Sequence, residues 1–253
     1  MWRALKVRIS QGRQYVPDLR RASPPGLRGL PVLDPRPCAD GCAACVEACG
    51  TGAISLDPLR IDLGRCIFCG DCAAACEPGK IVFTNGCRLA SGAREALVVR
   101  EGPPAPPATE VSRELKRLYG RSLKLRQVSA GGCGGCELEL NAIGNVNFDV
   151  GRYGIEFVAS PRHADALVLS GPITRNMSEA LQIAWDAMPA PKFVIACGAC
   201  AISGEPYGAS DQLERSFLDR NVPTLWVPGC PPHPLTIVNG ILDLLGIELP
   251  RER

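Results

Sequence analysis

The sequence predicts an α/β chain: a parallel sheet covered by helices on both faces, preceded by a small α+β unit in which cysteine replaces much of the usual core. Three observations lead there. From about residue 122, near-continuous apolar runs alternate with helical segments, the pattern of strands buried on both faces. The stretch "REGPPAPPATE", Arg100 to Glu110, has four prolines and no apolar period, and reads as an extended linker over 101–110. The fourteen cysteines fall nine before that stretch and five after it, so the two parts differ in texture as well as in period.

Residues 1–36 read as a basic amino-terminal arm. Arg3, Lys6, Arg8, Arg13, Arg20, Arg21, Arg28 and Arg36 stand against Asp18 and Asp34 alone, a balance that suits an acidic partner or an anionic lipid surface, or simply solvent. The start has no apolar h-region, and Arg20-Arg21 is followed by proline-broken text, so a reducing cytoplasmic setting is expected and metal ligation leads over disulfides. No window approaches the roughly 18 apolar residues that a membrane helix requires. A net charge of +2 argues against nucleic acid as a partner.

Residues 37–100 hold two cysteine runs. Cys66, Cys69, Cys72 and Cys76 are spaced C-x2-C-x2-C-x3-C, a pitch at which three thiolates hold one cubane while the fourth reaches a second cluster. Cys38, Cys42, Cys45 and Cys49 repeat the run with one extra residue after the first cysteine. Exchange of fourth ligands gives one cluster to Cys38, Cys42, Cys45 and Cys76, and the other to Cys66, Cys69, Cys72 and Cys49. Zinc, or a single cluster, is the competing reading, although structural zinc takes two separated pairs. Gly50 and Glu77 stand where proline usually follows the fourth cysteine, a change that removes no ligand. The text "GLRGLPVLDPRPC", "CAACVEACGTGAISL" and "IDLGRCIFCGDC" resembles the two-cluster ferredoxin-like subunits of complex I and of membrane-bound hydrogenases. That resemblance implies docking of the arm along a membrane-embedded partner.

Residues 111–253 form the predicted doubly wound, flavodoxin-like domain. Strands are expected at "SLKLRQV", "IEFVAS", "ADALVLSGP", "KFVIAC" and "PTLWVPG", with helices over 137–145, 174–188 and 232–245. "TEVSRELKRLYGRSLKLR" is helix-like, with six basic residues against two acidic ones, and suits a partner, headgroups or solvent. Ligands of such sheets sit beyond the carboxyl ends of the strands, and cysteines follow three of them: Cys133 and Cys136 in "SAGGCGGCELELN", Cys197 and Cys200 in "VIACGACA", Cys230 in "VPGCPPHP". Cys133, Cys136 and Cys230, with either Cys200 or Cys197, make one further site, which zinc would also fit. Gly132, Gly134 and Gly135 let backbone approach a bulky cofactor and aim N–H groups at it.

"GGCGGCELELN", "YGIEFVASPRHADALVLSGPITRNM", "PKFVIACGACAISG" and "VPGCPPHP" resemble the small subunit of group 4 nickel-iron hydrogenases, which is homologous to the 20 kDa complex I subunit. Tyr153 stands where that family has Phe. The resemblance implies that Cys200 is the third ligand, leaving Cys197 and Cys87 outside three [4Fe-4S] clusters, and the C-x2-C spacing implies the hydrogenase branch. Glu137 is a candidate proton relay or a helix-dipole residue. Arg162 and His163 are candidates to tune a cluster or to meet a partner, and His233 is a candidate supporting contact.

The implied function is electron transfer through three clusters to or from a catalytic large subunit, of the nickel-iron hydrogenase or complex I 49 kDa kind. The complex would be formate hydrogenlyase-like, lie peripherally on the cytoplasmic side of the cell membrane, and include membrane-embedded subunits. A formate dehydrogenase, CO dehydrogenase or ferredoxin would be the electron partner. The same relay in a quinone-linked or nickel-free oxidoreductase is the alternative, and a free-standing ferredoxin-like carrier a third.

Overall fold

The computed structural model describes residues 2–12, 15–103 and 113–247. The proline-rich linker expected over 101–110 lies outside the described residues from 104 onward.

Helix α1 (Trp2–Gln11) opens the chain and buries none of its residues. The segment from Tyr15 onward is packed rather than free. The Val16 N–H donates to the Asn147 carbonyl at 2.9 Å, Leu19 is fully buried, and the Leu19 carbonyl accepts from Asn239 Nδ2 at 2.8 Å. Arg20 pairs with Asp243 at 2.7 Å and donates to the Ile247 carbonyl at 2.8 Å. Within the segment expected as an arm over 1–36, α1 buries nothing while the residues from Val16 onward pack on the chain's own body. Counting charge hid the apolar Val16, Leu19 and Leu27, which dock against the chain's own body.

Five short strands and two four-residue helices build the cysteine-rich region: β1 (Pro31–Leu33), α2 (Ala44–Glu47), β2 (Ile54–Ser55), β3 (Arg60–Asp62), α3 (Asp71–Ala74), β4 (Ile81–Phe83) and β5 (Val98–Arg100). β1 pairs antiparallel with β4, and β2, β3 and β5 form a three-stranded antiparallel sheet in that order. This is the α+β arrangement expected, with β1 added from the segment read as an arm. Elements this short cannot bury a core by themselves, and Cys45, Cys66 and Cys72 are buried among Leu33, Leu59, Ile61, Leu63 and Leu97.

The remainder runs α4 (Arg113–Tyr119), β6 (Leu123–Ser129), α5 (Gly135–Ala142), β7 (Ile155–Phe157), β8 (Ala166–Ser170), α6 (Arg175–Asp186), β9 (Phe193–Cys197), α7 (Ala199–Ser203), α8 (Ser216–Arg220), β10 (Leu225–Val227) and α9 (Pro234–Leu244). The five strands are parallel in the order β10-β9-β8-β6-β7. Numbered from β6 as first, that order is 2-1-3-4-5 seen from the other edge, the flavodoxin-like winding, with its switch point between β6 and β8. The register sets Ser129, Ser170, Cys197 and Val227 side by side at the carboxyl edge. Side chains alternate between faces. Leu167, Leu169, Val194, Ala196 and Trp226 share a core with the cysteine-rich region, whereas Ala166, Val168, Ile195, Cys197 and Val227 pack under α5, α9 and Leu19.

The cysteine-rich region therefore sits against one face of the sheet. Ser91 and Trp226 exchange backbone hydrogen bonds at 3.0 and 2.8 Å, and Arg65 pairs with Glu205 at 2.9 Å across the join. Among the described residues no helix is long and apolar enough to cross a membrane.

Candidate metal centres

Cys49, Cys66, Cys69 and Cys72 line one cavity together with Thr51, Ile61 and Phe83. Burial pushes the Cys66 thiol up to about 12, and burial with the neighbouring Cys49 and Cys69 pushes Cys72 up to about 11. The sulfurs also receive backbone donors. Phe68 N–H points at Cys66 Sγ (3.3 Å) from a left-handed turn, φ 57°, and Ala53 N–H points at Cys49 Sγ (3.3 Å). These donors compensate negative charge on sulfur, the condition a ligating thiolate needs.

The first group forms the mirror image. The Cys45 thiol is raised by burial and then by the neighbouring Cys76 and Cys38. Cys38 and Cys42 line a second cavity, with Lys80 and Glu101 on its wall. Cys49 shares the cavity of Cys66, Cys69 and Cys72, and Cys76 neighbours Cys45.

A third group forms at the carboxyl edge of the parallel sheet. Cys133 lies in the loop after β6, Cys136 is in the first turn of α5, Cys200 is in α7, and Cys230 follows β10. The Cys136 thiol is raised by its contact with Cys197, which outweighs the contact with Cys200; burial adds to the rise. Cys200 is raised by Cys136 and by burial, and Cys230 by burial and then by Cys200 and Cys133. Cys133, Cys136, Cys200 and Cys230 therefore share one neighbourhood. Cys197 touches it from below as the last residue of β9, fully buried. Gly198, φ 97°, is needed there because a Cβ would come within 2.6 Å of Cys136 Sγ.

The glycine loop packs closely at the sheet edge. Gly134, φ 88°, turns the chain into α5, and a Cβ on Gly135 would face Cys133 Sγ and Pro231 at 3.6–3.7 Å. Gly132 packs on Gly171 at the switch point, where a Cβ would lie 3.1 Å from the Gly171 Cα. Glu137 folds back onto the sheet edge: Oε1 accepts from the buried Ser170 hydroxyl at 2.7 Å. Burial raises this carboxyl, but hydrogen bonds with Ser129 and Ser170 outweigh it and hold it below the usual range.

Arg162 and His163 do not join the group. They are exposed in the turn before β8, whose first residue lies roughly 13 Å along the sheet from its cysteine-bearing edge. The sequence window hid this because the turn sits at the amino end of its strand. His233 caps α9, its Nδ1 accepting from Leu235 N–H at 3.1 Å, yet its ring also lines a cavity with Cys69 and Cys230. That cavity links the second and third groups.

Arg215 went unmarked in the sequence. Its guanidinium donates to the carbonyls of Pro172, Cys200, Ala201 and Ile202 at 2.8–3.0 Å and fixes the short helix that carries Cys200. Cys87 is buried, donates to the Asn85 carbonyl at 3.5 Å and is pushed up to about 11 by burial.

The donor chemistry fits iron-sulfur clusters: soft sulfur donors around cavities, with N–H groups aimed at two of the sulfurs. Among the described residues, no three His, Cys, Asp or Glu side chains converge as closely as one metal ion requires.

A parallel-sheet protein with thiols at its switch point, joined to a second cysteine-rich unit, belongs to the class of redox subunits. Residues 133–244 match the family model of the NADH ubiquinone oxidoreductase 20 kDa subunit. The probable membrane-bound hydrogenase subunit mbhJ of Pyrococcus furiosus is 38% identical over 130 residues, which cover 51% of this chain and 77% of that protein. One of the subunits of the F(420)H(2) dehydrogenase of Methanosarcina mazei is 43% identical over 113 residues, 45% of this chain and 60% of that one. A chain of the membrane-bound sulfane sulfur reductase, an archaeal respiratory membrane complex, aligns with TM-score 0.45 and 27% identity over 53% of this chain and 74% of its own. The chain belongs to the 20 kDa NADH ubiquinone oxidoreductase subunit family. It is an electron-transfer subunit of an oxidoreductase complex, in a family that binds 4Fe-4S clusters.

Proposed function

We propose that this chain relays electrons between a donor and the catalytic large subunit of a membrane-bound group 4 hydrogenase, with the proton/hydrogen couple as substrate. Three 4Fe-4S clusters supply the one-electron chemistry when bound. Cys38, Cys42, Cys45 and Cys76 hold the first, Cys49, Cys66, Cys69 and Cys72 the second, and Cys133, Cys136, Cys200 and Cys230 the third. The observation that carries this reading is the cavity shared by Cys69 and Cys230, which brings the cysteine-rich region within reach of the sheet-edge group. The protein's own part is to bury the thiols, direct N–H groups at sulfur and keep the ligand loops rigid.

In the complex, residues 37–100 are the ferredoxin-like unit and residues 111–253 the family domain, joined by the linker at 101–110. The basic helix α1 docks on membrane-embedded subunits at the cytoplasmic face. The exposed Trp2, Leu5 and Ile9 favour this, because they share one side of α1 among Arg3, Lys6 and Arg8. A formate dehydrogenase, CO dehydrogenase or ferredoxin supplies the donor side. The 43% identity to an F(420)H(2) dehydrogenase subunit favours a second reading, the same relay in a nickel-free or quinone-linked complex.

Iron and acid-labile sulfide in the purified full chain, separated from its partners, should each reach about twelve, and eight would remove one site. Cys200→Ser should abolish one reduced-cluster EPR signal, whereas Cys197→Ser should leave all of them; the reverse result transfers the ligand role to Cys197. Nickel in the large subunit, with hydrogen-dependent dye reduction, separates the first reading from the second.

A further inference from the structure

Lys80 is only 2% exposed, an unusual position for a lysine. Its Nζ donates to Cys38 Sγ at 3.4 Å and pairs with Glu101 at 3.1 Å. All three residues line the cavity that also holds Cys42. The main chain fixes the geometry. The Lys80 carbonyl accepts from Asp34 N–H at 2.9 Å at the end of the β1–β4 pair, so its side chain leaves the sheet toward the cysteine run. The other charges nearby are Asp34, tied to Arg36 at 2.8 Å, and Asp40 and Asp57 on the cavity wall.

We propose that Lys80 is the residue that sets the reduction potential of the first cluster, by directing its ammonium at the Cys38 sulfur, with Glu101 moderating that charge. A buried cation hydrogen-bonded to a ligand sulfur stabilises whichever state carries more negative charge. Gain of one electron adds that charge, so the contact favours the reduced state and raises the potential. Glu101 opposes it. Among the described residues, the second group receives backbone N–H donors at Cys49 and Cys66, whereas Lys80 gives the first group a full charge. The two clusters of the cysteine-rich region are thereby held at different potentials.

The inference rests on the reading of Cys38 as a ligand, and the test separates the two. EPR-monitored redox titrations of the whole complex are compared for wild type, Lys80→Met, Lys80→Arg and Glu101→Gln, with iron counted in each and Cys42→Ser marking the first cluster's signal. In Lys80→Met that signal should show at least a threefold lower reduced-to-oxidised ratio at fixed potential, about 28 mV at 59 mV per tenfold. Glu101→Gln should shift it the opposite way, Lys80→Arg should stay near wild type, and the other two midpoints should not move. Unmoved midpoints, or shifts of the same sign in Lys80→Met and Glu101→Gln, overturn the role given to Lys80. A wild-type complex with no signal sensitive to Cys42→Ser overturns the ligand reading beneath it. Should Lys80→Met lose iron, Glu101→Gln alone decides, since it leaves every thiol and the lysine in place.

Discussion

The cysteine-rich region and the parallel sheet both hold thiols around a space, but they do so by opposite means. In the first, Cys45, Cys66 and Cys72 are part of the hydrophobic core, between helices of four residues and strands of two or three. In the second, the core is complete without ligands: β8, β9 and β10 of the parallel sheet are buried along their whole length, and Cys133 and Cys230 stand exposed at the edge. On the proposed reading, clusters would stabilise the fold of the first region and would only occupy a site that the second already presents. A group that binds a folded site contributes its binding free energy to stability, and that contribution matters most where little else is buried.

The largest expected effect breaks the comparison directly. Removal of iron with an oxidant and a chelator should strip amide-exchange protection from α2, α3 and β2 to β5, and leave β8 and β9 protected. The measurement is hydrogen exchange read by mass spectrometry on the full chain. Equal protection in both regions would show that the cysteine-rich unit holds its shape through the core it shares with Leu167, Leu169 and Trp226.

A smaller and more local effect is expected at Arg215, which fixes the Cys200 helix through four carbonyls. Arg215→Met keeps most of the apolar stem but leaves those carbonyls without their donors, at a cost of about 2–4 kcal/mol. Iron should fall from about twelve to about eight per chain, with the signals of the cysteine-rich unit unchanged. A lysine in its place should rescue only part, because a point charge cannot reproduce the planar fork. Full iron in Arg215→Met would mean that the sheet edge alone organises the third site.

How much of this was legible divides along the same line. The parallel strands and the strand ends followed by Cys133, Cys136, Cys200 and Cys230 could be read from apolar runs, most directly at β8, β9 and β10, whose burial throughout leaves an unbroken signal. The spacing raises an exchange of Cys49 and Cys76, and the structure places Cys49 in the cavity of Cys66, Cys69 and Cys72. α7 and α8, of five residues each, were not, being too short to show a helical period. Nor were Lys80 and Arg215, whose partners are a sulfur 42 residues away and carbonyls 13 to 43 residues away. Arg162 and His163 looked like site residues because they precede a strand that ends at the site, and one strand length separates the two positions. The charge of residues 1–36 was legible, but the docking of Leu19 was not, since one apolar side chain carries no period.

The smallest expected effect concerns that docked segment. Asp243 on α9 receives both Arg20 at 2.7 Å and Arg88 at 2.9 Å, so the amino-terminal segment and the cysteine-rich region meet on one carboxylate of the sheet domain. Arg20 is the more buried of the two and also donates to Asn239 Oδ1 at 3.1 Å and to the Ile247 carbonyl. Its removal leaves an acceptor behind the helix unpaired. Arg20→Ala should therefore lower stability by about 1–3 kcal/mol, read from the urea midpoint, and raise amide exchange over residues 16–22. Arg88 is half exposed, so Arg88→Ala should cost under about 1 kcal/mol and respond to salt. Because both share Asp243, the double variant should lose more than the sum of the two single losses, the last arginine being the one that leaves the carboxylate alone. Strict additivity would show that the two regions reach the sheet domain independently.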